Sequence, residues 1–354
     1  MAQTSNHLLC SHEESQQLEG LALAFEEPLT PERLALVIAA GMFSEHAAVK
    51  KDCKARLAKQ PNAELAAFFK ADKRNYFALE DGGKIRKIAD EFATYGVDPR
   101  LFAMALLRFE VQRNRPFGLC ARPAILEVAL ALEESPGAAF AELAGVDEVQ
   151  LPRVKKSLPA GLSHLTALRK LTIHSESLTS AAHIDELARI PQRFFLQLNV
   201  KNVKLALFDS IKSNVGGLGF WGAASALSEL FALSGWQHLE TLKLDGNPVT
   251  DLAPLAGLPL KTLSLDQTTV TDLSALAAMK TLTHLSVWGP RVASLAPLVN
   301  VPLVSLRVAP AHLPDLEPLA GIATLVELNI SGAPADAVGL SALVAARPGL
   351  RITR

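Results

Sequence analysis

Residues 239–259, LETLKLDGNPVTDLAPLAGLP, constrain the fold most, because the chain repeats their spacing four more times. The successors read LKTLSLDQTTVTDLSALAAMK, LTHLSVWGPRVASLAPLVNVP, LVSLRVAPAHLPDLEPLAGIA and LVELNISGAPADAVGLSALVA. The second apolar residue of each L-x-L core falls at Leu244, Leu265, Val287, Val308 and Ile330, in steps of 21, 22, 21 and 22; one further step of 22 reaches Ile352. A unit of that length cannot bury its apolar face alone, so it stacks on its neighbours as a solenoid. Projected backwards, the period predicts earlier strands at Val149/Leu151, Leu171/Ile173, Leu198/Val200 and Leu218/Phe220, nine in all, with a terminal one at Leu350/Ile352. Segments 179–190 and 223–234 read as short helices.

The spacing also says which way each side chain points. In L-x-x-L-x-L the leucines of a short strand face the core and the x positions face outward. Asp251-Leu252, Asp272-Leu273 and Asp315-Leu316 then turn the chain back, where Leu255, Leu276, Leu298 and Leu319 plug the core. These strings resemble the leucine-rich repeat proteins, and the D-L-x-P-L-A half is similar to their bacterial type. The resemblance implies an α/β fold, a right-handed solenoid with a parallel β-sheet on its concave side. Asn247 occupies the place of the buried asparagine that bonds backbone in that family, while Thr268, Pro290, Ala311 and Ala333 replace it later.

The first half reads differently, with helical signals and no period-2 pattern. Thr30-Pro31-Glu32 is a helix start, with Thr as N-cap, Pro at the first helical position and acid in the first turn. Gly41 reads as the stop after it. Further helices are expected over 45–59, 62–71, 84–96, 100–114, 122–134 and 138–144, with Gly82-Gly83 as a break. The predicted organisation is a flexible terminus over 1–20, an α-helical domain over 21–148 and the repeats over 149–354. HEAT-like helix pairs are one arrangement open to the helical domain, which would serve to cap the apolar end of the solenoid.

Composition excludes several function classes. Formal net charge is −1, so no global field points to nucleic acid or membrane. Residues 1–148 hold 17 basic against 22 acidic residues and the remainder 18 against 14, a mild asymmetry. The opening residues carry neither a positive n-region nor an apolar run of signal-peptide length, and no stretch is long and apolar enough to span a membrane. Three widely spaced cysteines, Cys10, Cys53 and Cys120, make neither a disulfide framework nor a metal clip. A cytoplasmic location is therefore expected, with secretion as an effector the minor alternative on the polar, Ser/Gln-rich residues 3–17.

Outward strand positions supply the candidate partner-binding surface: Trp221, Lys243, Asp245, Asp266, His284, Trp288 and Arg307. Trp288 is the most informative, because an indole on an outward row has no core reason to be there and Trp and Arg are frequent interface anchors. The competing reading packs it over Pro290 or a neighbouring loop, and the two stand level. A basic stretch at 50–87 carries 11 Lys and Arg against five acids, which solvated helix positions explain better than a phosphate-binding face. Residues 217–222, GLGFWG, match G-x-G-x-x-G, but the polar residues before them do not make the strand that a dinucleotide site needs. Bacterial effector ubiquitin ligases join such repeats to a helical domain with a catalytic Cys-x-Asp, whereas here Asp52 precedes Cys53 and the helices come first. No metal, cofactor or catalytic constellation is expected. The predicted function is a non-enzymatic module binding a protein on the concave face, with nucleic acid disfavoured. The alternative is a targeting repeat domain attached to a helical domain with its own enzymatic or nucleotide-binding activity.

Overall fold

A computed structural model describes residues 2–26, 28–73, 82–113, 146–154, 158, 162–181, 184–221, 227–289, 292–308, 315–334 and 336–354. The helices expected over 122–134 and 138–144, and Tyr76, Phe77 and Cys120, lie outside these residues. The chain divides into two compact units, 1–152 with 158–168, and 153–157 with 169–354. The division falls within the strand Glu148–Val154.

In the first unit the described helices are α1 (Ala2–Leu9), α2 (Glu14–Ala24), α3 (Pro31–Phe43), α4 (Ala47–Leu57), α5 (Ala63–Ala71), α6 (Gly82–Thr94) and α7 (Pro99–Arg113). Thr30 caps α3 as its sequence implies, its hydroxyl accepting from the Arg33 amide at 3.3 Å. Asn62 does the same for α5, accepting from the Leu65 amide at 3.0 Å. Three expectations are corrected here. Gly41 does not stop α3, which runs on to Phe43; the glycine is there because a Cβ would sit 2.8 Å from Cys53 Cβ of α4. Gly82 and Gly83 open α6 instead of breaking the chain before it. Residues 2–20, expected to be flexible, hold α1 and the start of α2, with Leu9 and Cys10 fully buried. Their polar side chains are used inside: Ser44 donates to Gln17 Oε1 at 2.7 Å and Gln17 Nε2 donates to the Ser11 carbonyl at 2.6 Å. Phe68, Phe92 and Phe102 join α5, α6 and α7 through ring contacts of 5.1 Å.

Ten strands run in chain order in one sheet, β1 (Glu148–Val154), β2 (Lys170–Leu178), β3 (Phe194–Val203), β4 (Val215–Phe220), β5 (Thr241–Lys243), β6 (Thr262–Ser264), β7 (His284–Val287), β8 (Ser305–Val308), β9 (Glu327–Asn329) and β10 (Arg351–Thr353). Strands β2 to β10 organise the second unit. Each pairing from β2 to β10 is parallel. The register stacks Leu171, Leu196, Leu218, Leu242, Leu263, Leu285, Leu306 and Leu328 in one buried file, continued by the half-buried Ile352. Two strands therefore sit two residues from their predicted places. Leu196/Leu198, not Leu198/Val200, continue the file in β3, and Ile352 pairs with Leu328 rather than Ile330. Such a shift keeps every side chain on its own face, so the alternating pattern does not resist it.

Between strands the chain returns through 3-10 turns, among them Ala253–Leu255, Ser274–Leu276, Ala296–Leu298 and Glu317–Gly321. Leu255, Leu276, Leu298 and Leu319 in these turns are fully buried, as the spacing implies. The repeated aspartate has a local task. Asp251, Asp272 and Asp315 each accept, through Oδ1, from the amide two residues on at 2.8, 2.8 and 2.9 Å, satisfying the open end of the turn. The two segments expected as helices contain α8 (Asp185–Ala188) and a 3-10 turn at Leu227–Leu233. After β9, α9 (Leu340–Ala346) is followed by Arg347, whose guanidinium donates to the carbonyls of Ile322, Ala323 and Leu325 in the preceding repeat.

Candidate functional site

The outward side chains fall into files set by the register. One file runs Thr241, Thr262, His284, Ser305, Glu327, and the next Lys243, Ser264, Ser286, Arg307, Asn329. Just past the strands stand Asp245, Asp266 and Trp288. Neighbouring members of a file are about 4.8 Å apart across the sheet, close enough for side chains of adjacent repeats to bond. They do. Asp245 Oδ1 accepts from Ser264 Oγ at 2.5 Å and from the Asp266 amide at 3.0 Å. One repeat later, Asp266 Oδ1 accepts from Ser286 Oγ at 2.5 Å and from the Trp288 amide at 2.8 Å. The same aspartate receives Arg307 Nη1 on Oδ2 at 2.7 Å. The Arg307 guanidinium carbon lies 4.2 Å from the centre of the Trp288 ring, which is cation–π distance.

Asp266, Trp288 and Arg307 are therefore brought into one contact cluster. The carboxylate holds both the backbone that carries the indole and the guanidinium that covers it. Trp288 is half-buried, and what packs on it is Arg307. The competing partner, Pro290, lies outside the described residues. His284 is not part of the cluster. It opens β7, four residues before Trp288 and roughly 13 Å along the strand, and its Nδ1 is 2.9 Å from Thr283 Oγ1. Lys243 also stands apart, with its ammonium 5.6 Å from the ring centre of Phe195. Trp221, just after β4, is 70% exposed.

Phe195 is the residue that sequence reasoning missed, since the two-residue slip in β3 took it off the outward file. It pairs laterally with Lys170 and Gly217. A Cβ at Gly217 or Gly219 would overlap the Phe195 ring or the Gln197 side chain, so both glycines make room for their β3 neighbours. That accounts for the first two glycines of GLGFWG. They are residues of strand β4 under a ring rather than a loop around a phosphate, and Gly222 lies outside the described residues.

The buried asparagine decides the repeat type. Asn247 is 1% exposed, and its Nδ2 donates to the carbonyls of Leu244 and Asp245, both at 2.9 Å, and of Phe220 in the preceding repeat at 3.3 Å. The second unit is a leucine-rich repeat solenoid. In the following repeat Thr268 Oγ1 donates to the Leu265 carbonyl at 2.8 Å, doing part of the same work with a shorter side chain.

Among solved structures the chain is similar to internalin C2 of Listeria monocytogenes, at 23% identity and a TM-score of 0.41 over 61% of this chain and 84% of that one. It is similar to internalin F of the same species at 19% identity and a TM-score of 0.44, over 64% and 73% respectively. A leucine-rich repeat protein of Leptospira interrogans is similar at 16% identity and a TM-score of 0.41, over 61% and 56%. No protein-family model and no curated protein matches the sequence.

The other sequence candidates take their places as follows. Cys53 is fully buried between α3 and α4, and burial with Asp52 beside it pushes its thiol well above the ordinary range. That removes the thiolate a nucleophile requires. In the basic stretch, Lys54 pairs with Asp72 at 3.2 Å, Arg56 with Asp52 at 3.0 Å and Arg86 with Asp90 at 3.2 Å, which spends three of its charges internally. Among the described residues no group of three or more His, Cys, Asp or Glu side chains is placed to hold a metal, and no helix is long and apolar enough to cross a membrane.

Proposed function

We propose that the protein is a non-enzymatic interaction module whose leucine-rich repeats take a protein partner on the concave face of the sheet. The cluster of Trp288, Arg307 and Asp266 is its anchor. One observation carries this reading: Arg307 stacks on Trp288 while bonded to Asp266, which also holds the Trp288 amide. A large aromatic surface fixed in this way loses little side-chain freedom on binding, so more of its contact energy survives as affinity. Arg307 keeps Nε and Nη2 unused among the described residues, which leaves it donors for a partner's carbonyls or carboxylates.

The test is capture from lysate of the source cell with the wild-type chain and with a Trp288→Ala, Arg307→Glu double variant, both checked for fold by circular dichroism. A protein retained by the wild type and lost from the folded double variant supports the anchor. Equal retention by both would remove it from the outward face around β6–β8.

A further inference from the structure

Where strands β3 to β5 begin, a cleft of about 280 Å³ opens, lined in part by Arg169, Arg193, Phe195, Gly216, His238 and Glu240. The sheet makes it by an irregularity. Phe194 pairs with Val215 but Phe195 pairs with Gly217, so β4 carries one extra residue, Gly216. The stem of Arg193 runs beside Gly216, where a Cβ would meet it in ordinary contact, 3.6 Å from Arg193 Cβ. The bulge thus leaves a hollow with an aromatic ring on one side and arginines at its mouth.

The charge in the hollow is unbalanced. Arg169 and Arg193 are both exposed and, among the described residues, neither has an acidic partner. The one carboxylate in the lining, Glu240, is occupied by Lys261 Nζ at 2.9 Å. Half-buried His238 can add a ring N–H donor. Two guanidiniums without counter-charge are suited to a planar carboxylate, which each can grip with two parallel hydrogen bonds. A nucleic acid would instead need a track of cations along its backbone with exposed rings between them; of the two phenylalanines in the lining, Phe194 is buried, which leaves Phe195 to offer a ring.

We propose that this rim cleft binds an acidic segment of a protein partner, with an Asp or Glu side chain seated between Arg169 and Arg193. The inference rests on the reading of the repeats as a protein-binding module but concerns a site distinct from the Trp288 anchor. It is tested by fluorescence anisotropy on the full chain with labelled hexaglutamate, hexaglutamine and a short oligo-dT. The variants are the Arg169→Glu, Arg193→Glu pair, the Arg169→Lys, Arg193→Lys pair, and Arg307→Glu, each confirmed folded by circular dichroism. The expected result is binding of hexaglutamate and not hexaglutamine, weakened roughly ten-fold or more by the double Glu variant. The double Lys variant retains part of the affinity, and the double Glu variant at the rim loses more of it than Arg307→Glu does. Failure of the wild type to bind hexaglutamate, or equal binding by the double Glu variant, overturns the proposal. So does a loss seen only with Arg307→Glu, which would move the acidic site to the anchor, or tighter binding of oligo-dT than of hexaglutamate. An acidic peptide that ignores the rim variants would leave the Trp288 anchor standing, because that is tested separately by partner capture.

Discussion

Asp266 accepts three hydrogen bonds with two oxygens, from Ser286, from the Trp288 amide and from Arg307. Removing the carboxylate leaves a backbone amide and a guanidinium without their acceptor. Asp266→Ala is therefore expected to lower the unfolding free energy by about 1–3 kcal/mol, and Asp266→Asn, which keeps an acceptor, by less. Urea denaturation measures both, and an unchanged midpoint for the Ala variant would mean that the cluster contributes nothing to holding the strands. That Asp266, Trp288 and Arg307 face outward is legible from the spacing alone. Their mutual bonding is not, since Arg307 reaches Asp266 across 41 residues and the pattern along one strand is silent about lateral neighbours. For the same reason His284 reads as a companion of Trp288 although it stands at the other end of β7. Cys53 offers a second check at this scale. Its raised, buried thiol is expected to resist iodoacetamide at pH 8 in the native protein and to be alkylated in urea; rapid native labelling would contradict the close packing of α3 on α4.

The same limit operates on whole elements. The strand sequence FFLQLNV buries Phe194, Leu196, Leu198 and Val200 alike, so its alternation names the buried face but not which pair continues the file. What selects the register is lateral: Phe195 needs the space that Gly217 and Gly219 leave, and Gly216 absorbs the mismatch. Helix ends fail in sequence for a related reason. Gly41 carries the sign of a stop, yet its lack of a side chain is used for contact with Cys53. The coupling between Phe195 and Gly217 predicts a non-additive pair. Gly217→Ala forces its Cβ into the ring and should cost about 1–3 kcal/mol, whereas in a Phe195→Ala background most of that penalty should vanish. A double-mutant cycle by chemical denaturation reads the difference, and simple additivity would show that the ring does not rest on the glycine.

At the scale of the repeat unit, stability comes from each repeat resting on its neighbours. An interior repeat such as that of β6 is supported on both sides, by β5 and β7, while β10 pairs only with β9 among the strands of the sheet. The period that makes the solenoid readable in sequence is the same periodic burial that makes its unfolding spread from unit to unit. The helical unit has no such period, which is why its start and stop signals were followed only in part by the chain. Leu263 and Leu328 occupy equivalent buried positions, at 1% exposure each, and truncating either to Ala removes similar contacts, worth about 2–5 kcal/mol locally. The consequences should differ by position. Leu328→Ala should loosen β9, β10 and α9 and leave amide protection upstream intact, because β10 is the one strand of the sheet beyond β9 and the repeats before β8 keep both of their neighbours. Leu263→Ala interrupts two interfaces, so protection should fall on both sides of β6. Hydrogen exchange read by mass spectrometry separates these patterns. Equal, uniform loss for both variants would mean that the repeats open as a single block, and the neighbour-by-neighbour account of this solenoid would fail.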